Sequence, residues 1–109
     1  MKYMLLITAA ADAVAPEGTP SIEKWFAEVR DRHLDGDRLR PISDATTVRN
    51  RDGEVLLSDG PFAETREHIA GYDVIECADL DEAIDIAAKH PVAYFGAVEV
   101  RPFWPIDED

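Results

Sequence analysis

Three histidines, a set of carboxylates and a few arginines are the groups of this chain that could move a proton or hold an anion near neutral pH. Two of the histidines have informative settings. His33 ends an apolar stripe that begins at Ile22, and His90 stands directly before Pro91. Either could act as a general base if a carboxylate orients it and an arginine holds the developing anion. The candidate carboxylates are Asp59 and Glu64. The densest run of such groups lies between Ser58 and Tyr72, where Asp59-Gly60-Pro61 makes a turn. Asp bonds its own backbone there, Gly accepts a positive φ, and Pro fixes the chain behind it. Phe62 then places one large apolar side chain, and Glu64, Arg66, Glu67 and His68 follow. Phe62, Glu64, Arg66 and Glu67 could frame a small polar ligand, and Arg49 and Arg101, both on strand-like runs, could bind an anion. Each has a plainer reading: an Asx turn for Asp59, a packing anchor for Phe62, a solvated loop for the charges, and a cross-strand ion pair for Arg101.

Other chemistries have no residues to carry them. There is no Cys-x-x-Cys or His-x-x-x-His spacing for zinc, no phosphate-binding glycine loop and no Gly-x-Ser-x-Gly. Neither a metal nor a cofactor is expected. The single cysteine, Cys77, lies in an apolar run without a basic neighbour and reads as a small buried hydrophobe. The net charge of −12 argues against nucleic acid and against an anionic membrane surface. The first residues faintly imitate a secretory leader, but the apolar run Tyr3–Ile7 is short for one and reads as a strand. The expected setting is cytoplasmic.

The positioning elements follow from pattern. At 109 residues the chain is read as one domain, with 104–109 a frayed tail. Tyr3–Ile7 is continuously apolar, as in a central strand. Thr19-Pro20 predicts a helix start. Ile22, Trp25, Phe26, Val29 and His33 share one helical stripe, and Gly36 predicts the stop, with 37–45 irregular. Thr46–Asn50 and Glu54–Ser58 flank Asp52-Gly53, a strong hairpin signal that sets Val48 across from Leu57 and Arg51 across from Glu54. Gly71–Cys77 is a further strand, with Tyr72 and Val74 on one side and Asp73, Ile75 and Cys77 on the other. Asp79 caps a second helix, buried through Leu80, Ala83, Ile84, Ala87 and Ala88, which His90-Pro91 ends. Ala97–Arg101 closes the set. Two helices connecting strands of one sheet predict an α+β, ferredoxin-like sandwich with an extra β-hairpin.

Met-Lys-Tyr-Met-Leu-Leu-Ile at the start, Ala-Thr-Thr-Val-Arg at 45–49 and Asp-Gly-Pro-Phe-Ala-Glu-Thr-Arg-Glu at 59–67 carry a family likeness. So do Gly-Tyr-Asp-Val-Ile-Glu at 71–76, Leu-Asp-Glu-Ala-Ile at 80–84, His90-Pro91 and Glu-Val-Arg-Pro-Phe at 99–103. Together they resemble the YCII-related proteins, in the branch marked by the Asp-Gly-Pro-Phe motif. The resemblance implies a dimeric α/β-barrel. It also implies an association, in many members, with extracytoplasmic-function sigma factors. In other branches a His–Asp pair in a cleft is the suspected acid–base site. Here Trp25 stands near the place of that histidine, and His90 takes the place of the aspartate.

Two functions follow as expectations. One is a small homodimeric ligand-binding or accessory protein with a regulatory partner. The other is a cofactor-free acid–base enzyme, of lyase or isomerase type, on a small aromatic or carbonyl compound. The dimer is expected because two helices cover only one sheet face. The bare face would be apolar in the middle, with Asp73, Glu99 or Arg101 toward its rim, and closure would bring both 59–68 loops to a shared cavity.

Overall fold

The computed structural model describes residues 1–60 and 67–107. Its strands are β1 (Lys2–Ala10), β2 (His33–Arg38), β3 (Thr46–Arg51), β4 (Glu54–Asp59), β5 (Glu67–Glu76) and β6 (Ala97–Pro102). Its helices are α1 (Ile22–Val29) and α2 (Leu80–Ala88). Short 3-10 turns occupy Ile42–Asp44 and Pro91–Tyr94. Strands β2-β5-β1-β6 form one sheet in that order, with every neighbour antiparallel. This is the ferredoxin-like arrangement, an α+β sandwich of one sheet and two helices. No helix among the described residues is long and apolar enough to cross a membrane.

The core lies between the sheet and the helices. Tyr3, Leu5 and Ile7 on β1, Ile75 on β5, Trp25 and Val29 on α1, and Ala83, Ile86 and Ala87 on α2 are buried together. Alternation on β1 sends Met4 and Leu6 to the other face, which no helix covers. Asp79 caps α2 by accepting from the Glu82 N–H, and Glu82 accepts from the Ala78 N–H in return. The α2 stripe differs from expectation at four residues: Ile86 is buried, while Leu80 and Ile84 are about half exposed and Ala88 is exposed.

Three sequence expectations are corrected. Helix α1 starts two residues later than Thr19-Pro20 suggests, capped by Ser21, whose side chain accepts from the Lys24 N–H. It ends at Val29, so His33 and Gly36 belong not to a helix but to β2. Pairing with β5 decides this: β2 has few apolar residues of its own, and its backbone groups are satisfied by β5. Strand β5 also begins at Glu67, earlier than Gly71.

The hairpin is as expected, with Val48 opposite Leu57 and Arg51 opposite Glu54. Asp52 and Gly53 form the primed turn at φ 54° and 83°. It is a separate two-stranded sheet, and no other described element packs extensively against it. The radius of gyration is 16.1 Å, against about 13 Å for a compact chain of this length. The hairpin is therefore an arm.

Candidate active site

Two helices crossing one sheet leave a gap where α1 and the Pro91–Tyr94 turn diverge over β2 and β5. A cavity of about 480 Å³ fills it. Ile7, Ile22, Phe26 and Val92 give it apolar walls. Asp73, His90 and Arg38 are the polar groups on which an acid–base role would rest.

Asp73 is the centre of the polar group. On β5 it alternates with Ile75 and so points at the helices, not at the rim of the open face as the sequence suggested. It is buried, at 6% exposure. A buried carboxylate needs partners; one imidazole hydrogen-bonds it, and a second stands beside it beyond hydrogen-bond distance. His33 Nε2 lies 2.7 Å from Asp73 Oδ1, and His90 Nε2 lies 4.0 Å from Asp73 Oδ2. His33 reaches this position from β2, where a bulge between His33 and Asp35 turns the histidine toward the core. Room for the carboxylate comes from Gly36, directly across from Asp73. A Cβ there would collide with Asp73 Oδ1 and stand 2.8 Å from the Tyr72 carbonyl.

His90 is held differently. Pro91 ends the helical path, and His90 becomes the cap of the next turn, its Nδ1 accepting from the Val92 N–H at 3.0 Å. It does not cap α2 carbonyls. Because Nδ1 accepts, the neutral ring carries its proton on Nε2, the nitrogen that faces Asp73. Burial lowers the His90 pKa from 6.5 to about 4. Burial also raises the Asp73 carboxyl above its ordinary range, and the hydrogen bond and charge of His33 pull it part of the way back. Trp25 ties the assembly together. Its ring meets both imidazoles edge-on, with centroids 5.9 Å from His33 and 4.7 Å from His90. Its Nε1–H donates to the Ile86 carbonyl at 2.9 Å, locking α1 to α2.

The structure thus brings His33 and His90 onto one carboxylate, which is neither Asp59 nor Glu64. Asp59 ends β4 on the exposed arm, and Arg49 lies on β3. Arg101 pairs with Glu99 at 3.2 Å on the open sheet face. Glu67 starts β5 and is exposed. Phe62, Glu64 and Arg66 lie outside the described residues. None of the residues 59, 60, 67 and 68 is part of the cavity lining, so among the described residues the 59–68 stretch does not frame it. Asp73 and Arg38 are the site residues that the sequence reading missed. A signal for Asp73 existed: an aspartate alternating with Ile75 and Cys77 sits on a core-facing position and must be partnered there. Arg38 has no such signal.

Over 67 residues the chain is 48% identical to an uncharacterised protein, R00369, of Rhizobium meliloti (strain 1021), covering 60% of this chain. The chain spans about half (54%) of that relative's length. Among solved structures, a 5-chloro-2-hydroxyhydroquinone dehydrochlorinase from Burkholderia phenoliruptrix AC1100, in complex with 2,5-dihydroxybenzoquinone, superposes with a TM-score of 0.48 at 11% identity, covering both chains fully. At that score and identity, what the enzyme binds and does is not carried over. The YCII-related domain matches residues 1–107, nearly the whole chain, and the protein belongs to the YCII-related family.

Proposed function

We propose that this protein is a cofactor-free acid–base enzyme, of lyase or isomerase type, acting on a small aromatic or carbonyl compound. We place it in the Asp-Gly-Pro-Phe branch of the family and in the cytoplasm. One observation carries the reading: a buried carboxylate, flanked by two imidazoles, forms part of the wall of a largely apolar cavity that Arg38 also lines. Perturbed carboxyls of this kind, in a cleft of ring size, are what proton transfer at carbon uses. Asp73 touches the cavity and His33 does not, so the carboxylate is the catalytic base and His33 the group that orients it. In the reaction Asp73 takes a proton from a carbon next to a carbonyl. The C–H electron pair moves into the carbonyl, and Arg38 stabilises the oxyanion. The proton then returns at a second carbon, or a leaving group departs. The accessory reading, with a sigma factor as partner, rests on family company alone.

The test is exchange of C–H for C–D in D₂O across a panel of small hydroxyaromatic and ketone compounds, first selected by thermal shift. Wild type should exchange the protons of at least one binder, and Asp73→Asn should lose that exchange by about 100-fold or more. Compounds that bind without exchange, in both proteins, would make this a binding site and not a catalytic one.

A further inference from the structure

His90 is the most completely buried polar side chain of the cavity wall, at 5% exposure, and the proton transfer assigned to Asp73 does not use it. Its Nδ1 accepts from the Val92 N–H at 3.0 Å. The neutral ring therefore has no free lone pair with which to act as a base, and its proton sits on Nε2. Among the described residues that N–H has no acceptor. Asp73 Oδ2, which it faces, stands 4.0 Å away, beyond hydrogen-bond distance. The ring is not free to swing and close the gap. The Val92 N–H holds one edge, and the Trp25 ring packs against it with centroids 4.7 Å apart.

The same gap divides the two oxygens of Asp73. Oδ1 is bonded to His33 Nε2, while Oδ2 has no hydrogen bond among the described residues. Every side-chain nitrogen or oxygen among those residues that is sealed from solvent has a hydrogen-bond partner. His90 Nε2 and Asp73 Oδ2 have none, so neither is sealed, and both residues line the cavity. An unshared donor and an unshared acceptor, 4.0 Å apart, thus open on one space. An enolisable unit has the matching pair of ends. Its carbonyl oxygen accepts a hydrogen bond, its α-carbon gives up a proton, and the two atoms lie about 2.4 Å apart by ordinary bond lengths. They reach His90 Nε2 and Asp73 Oδ2 along slightly splayed directions.

Building on the acid–base reading of this cavity, we infer that His90 is a catalytic residue: its Nε2–H donates to the substrate carbonyl oxygen and holds the charge that develops there, while Asp73 Oδ2 takes the α-proton. The C–H electron pair becomes the C=C bond of an enolate, the carbonyl π pair moves to oxygen, and the His90 proton stays on nitrogen. His90 thus joins Arg38 in stabilising the oxyanion. Return of the proton from Asp73 to another carbon, or departure of a leaving group, discharges the enolate. A neutral ring suits this task. Burial keeps His90 uncharged well below neutral pH. An imidazolium would pair with the carboxylate or protonate it, and either would weaken the base. The substrate class narrows accordingly, to compounds with a ketone or aldehyde oxygen next to an acidic C–H.

The probe is 4-nitrophenol, whose phenolate is a planar oxyanion of ring size and whose colour reports ionisation. Asp73→Asn is the host, because its amide stands in for a carboxyl that has taken the proton. There the probe should bind with its apparent pKa lowered by about one unit. Two further substitutions separate the roles of His90. In His90→Asn the side-chain oxygen takes the place of Nδ1 and keeps the Val92 cap, but no donor reaches the place of Nε2. In His90→Gln an amide N–H reaches it. His90→Asn should weaken phenolate binding about 10-fold or more, and His90→Gln should keep most of the affinity. A merely structural cap predicts the reverse order. In wild type, which needs no substitution, the Nε2 proton of His90 should move downfield in ring NMR when 4-nitrophenol is added. No binding at millimolar probe, full affinity in His90→Asn, or an unmoved Nε2 proton overturns the proposal. Exchange of substrate C–H is a separate readout. Exchange that persists in His90→Asn keeps Asp73 as the base and removes His90 from the reaction. Phenolate held through His90 with no C–H exchange of any binder keeps the oxyanion donor and overturns the enzyme reading.

Discussion

The Nε2 of His33 lies 2.7 Å from Oδ1 of Asp73, joining the outermost strand of the sheet to its neighbour through side chains as well as through the backbone ladder. The histidine relieves part of the burial cost of the carboxylate, and the carboxylate fixes which imidazole nitrogen faces it. His33→Ala should therefore cost about 2–4 kcal/mol, because a buried carboxyl loses its closest partner. In urea titrations the double variant His33→Ala/Asp73→Ala should cost less than the sum of the singles by about 1 kcal/mol or more. Additive losses would mean that the two side chains do not act as a pair.

Gly36→Ala should be more harmful than its single methyl suggests. The new Cβ would be driven into the Asp73 carboxylate and the Tyr72 carbonyl, and the backbone carbonyl has no rotamer by which to yield. A loss of about 1–3 kcal/mol is expected, together with a change in the His33 ring resonances. Unchanged melting temperature and unchanged resonances would show that β2 shifts freely at this point.

His90 should remain neutral far below the usual histidine range. Ring NMR should show the Nε2–H tautomer, with no titration step between pH 8 and pH 5. The linked effect on stability has a definite sign. Between pH 6.5 and about 4 the unfolded chain binds a proton at His90 that the folded chain refuses. The stability associated with neutral His90 is thus complete above pH 6.5 and is lost as pH falls through 4. Asp73 acts in the opposite sense, since its raised carboxyl disfavours the folded state as pH rises above the ordinary carboxylate value of 3.8. Comparison with His90→Gln isolates the histidine share: any advantage of wild type at pH 7 should shrink on acidification. A His90 midpoint near 6.5 would contradict the geometry.

Trp25→Phe should cost about 2–4 kcal/mol in thermal or urea unfolding. It leaves the buried Ile86 carbonyl without its indole donor and opens space beside two imidazoles. Recovery of wild-type stability would mean that water replaces the indole N–H.

The hairpin and both helices could be read from residue types because their signals are local. Asp52-Gly53 dictates its turn, and with it the whole register from Thr46 to Asp59. Asp79 and Glu82 announce α2 in the same way. Strand β2 could not be read so. His-Leu-Asp-Gly-Asp-Arg has neither alternation nor β-branched residues, and the apolar stripe of α1 runs on in register to His33. Only β5, more than thirty residues away, makes it a strand. The site was half legible for the same reason. His33 and His90 stood out by type, but the residue that unites them was hidden in a pattern of facing. Asp73 was correctly set beside Ile75 on one side of its strand, yet was expected at the rim of the open face and not under the helices.

The edge-on contact of Trp25 with both imidazoles also gives the site an optical read-out of its own. The chain has two indoles in opposite surroundings: Trp25 is 1% exposed and Trp104 is 77% exposed. With Trp104 replaced by Phe, the remaining emission comes from a shielded fluorophore that touches two proton-accepting rings. A molecule entering beside His90 changes the quenching of that single emitter. Occupancy of the cavity can therefore be followed without a label, and without first knowing the substrate.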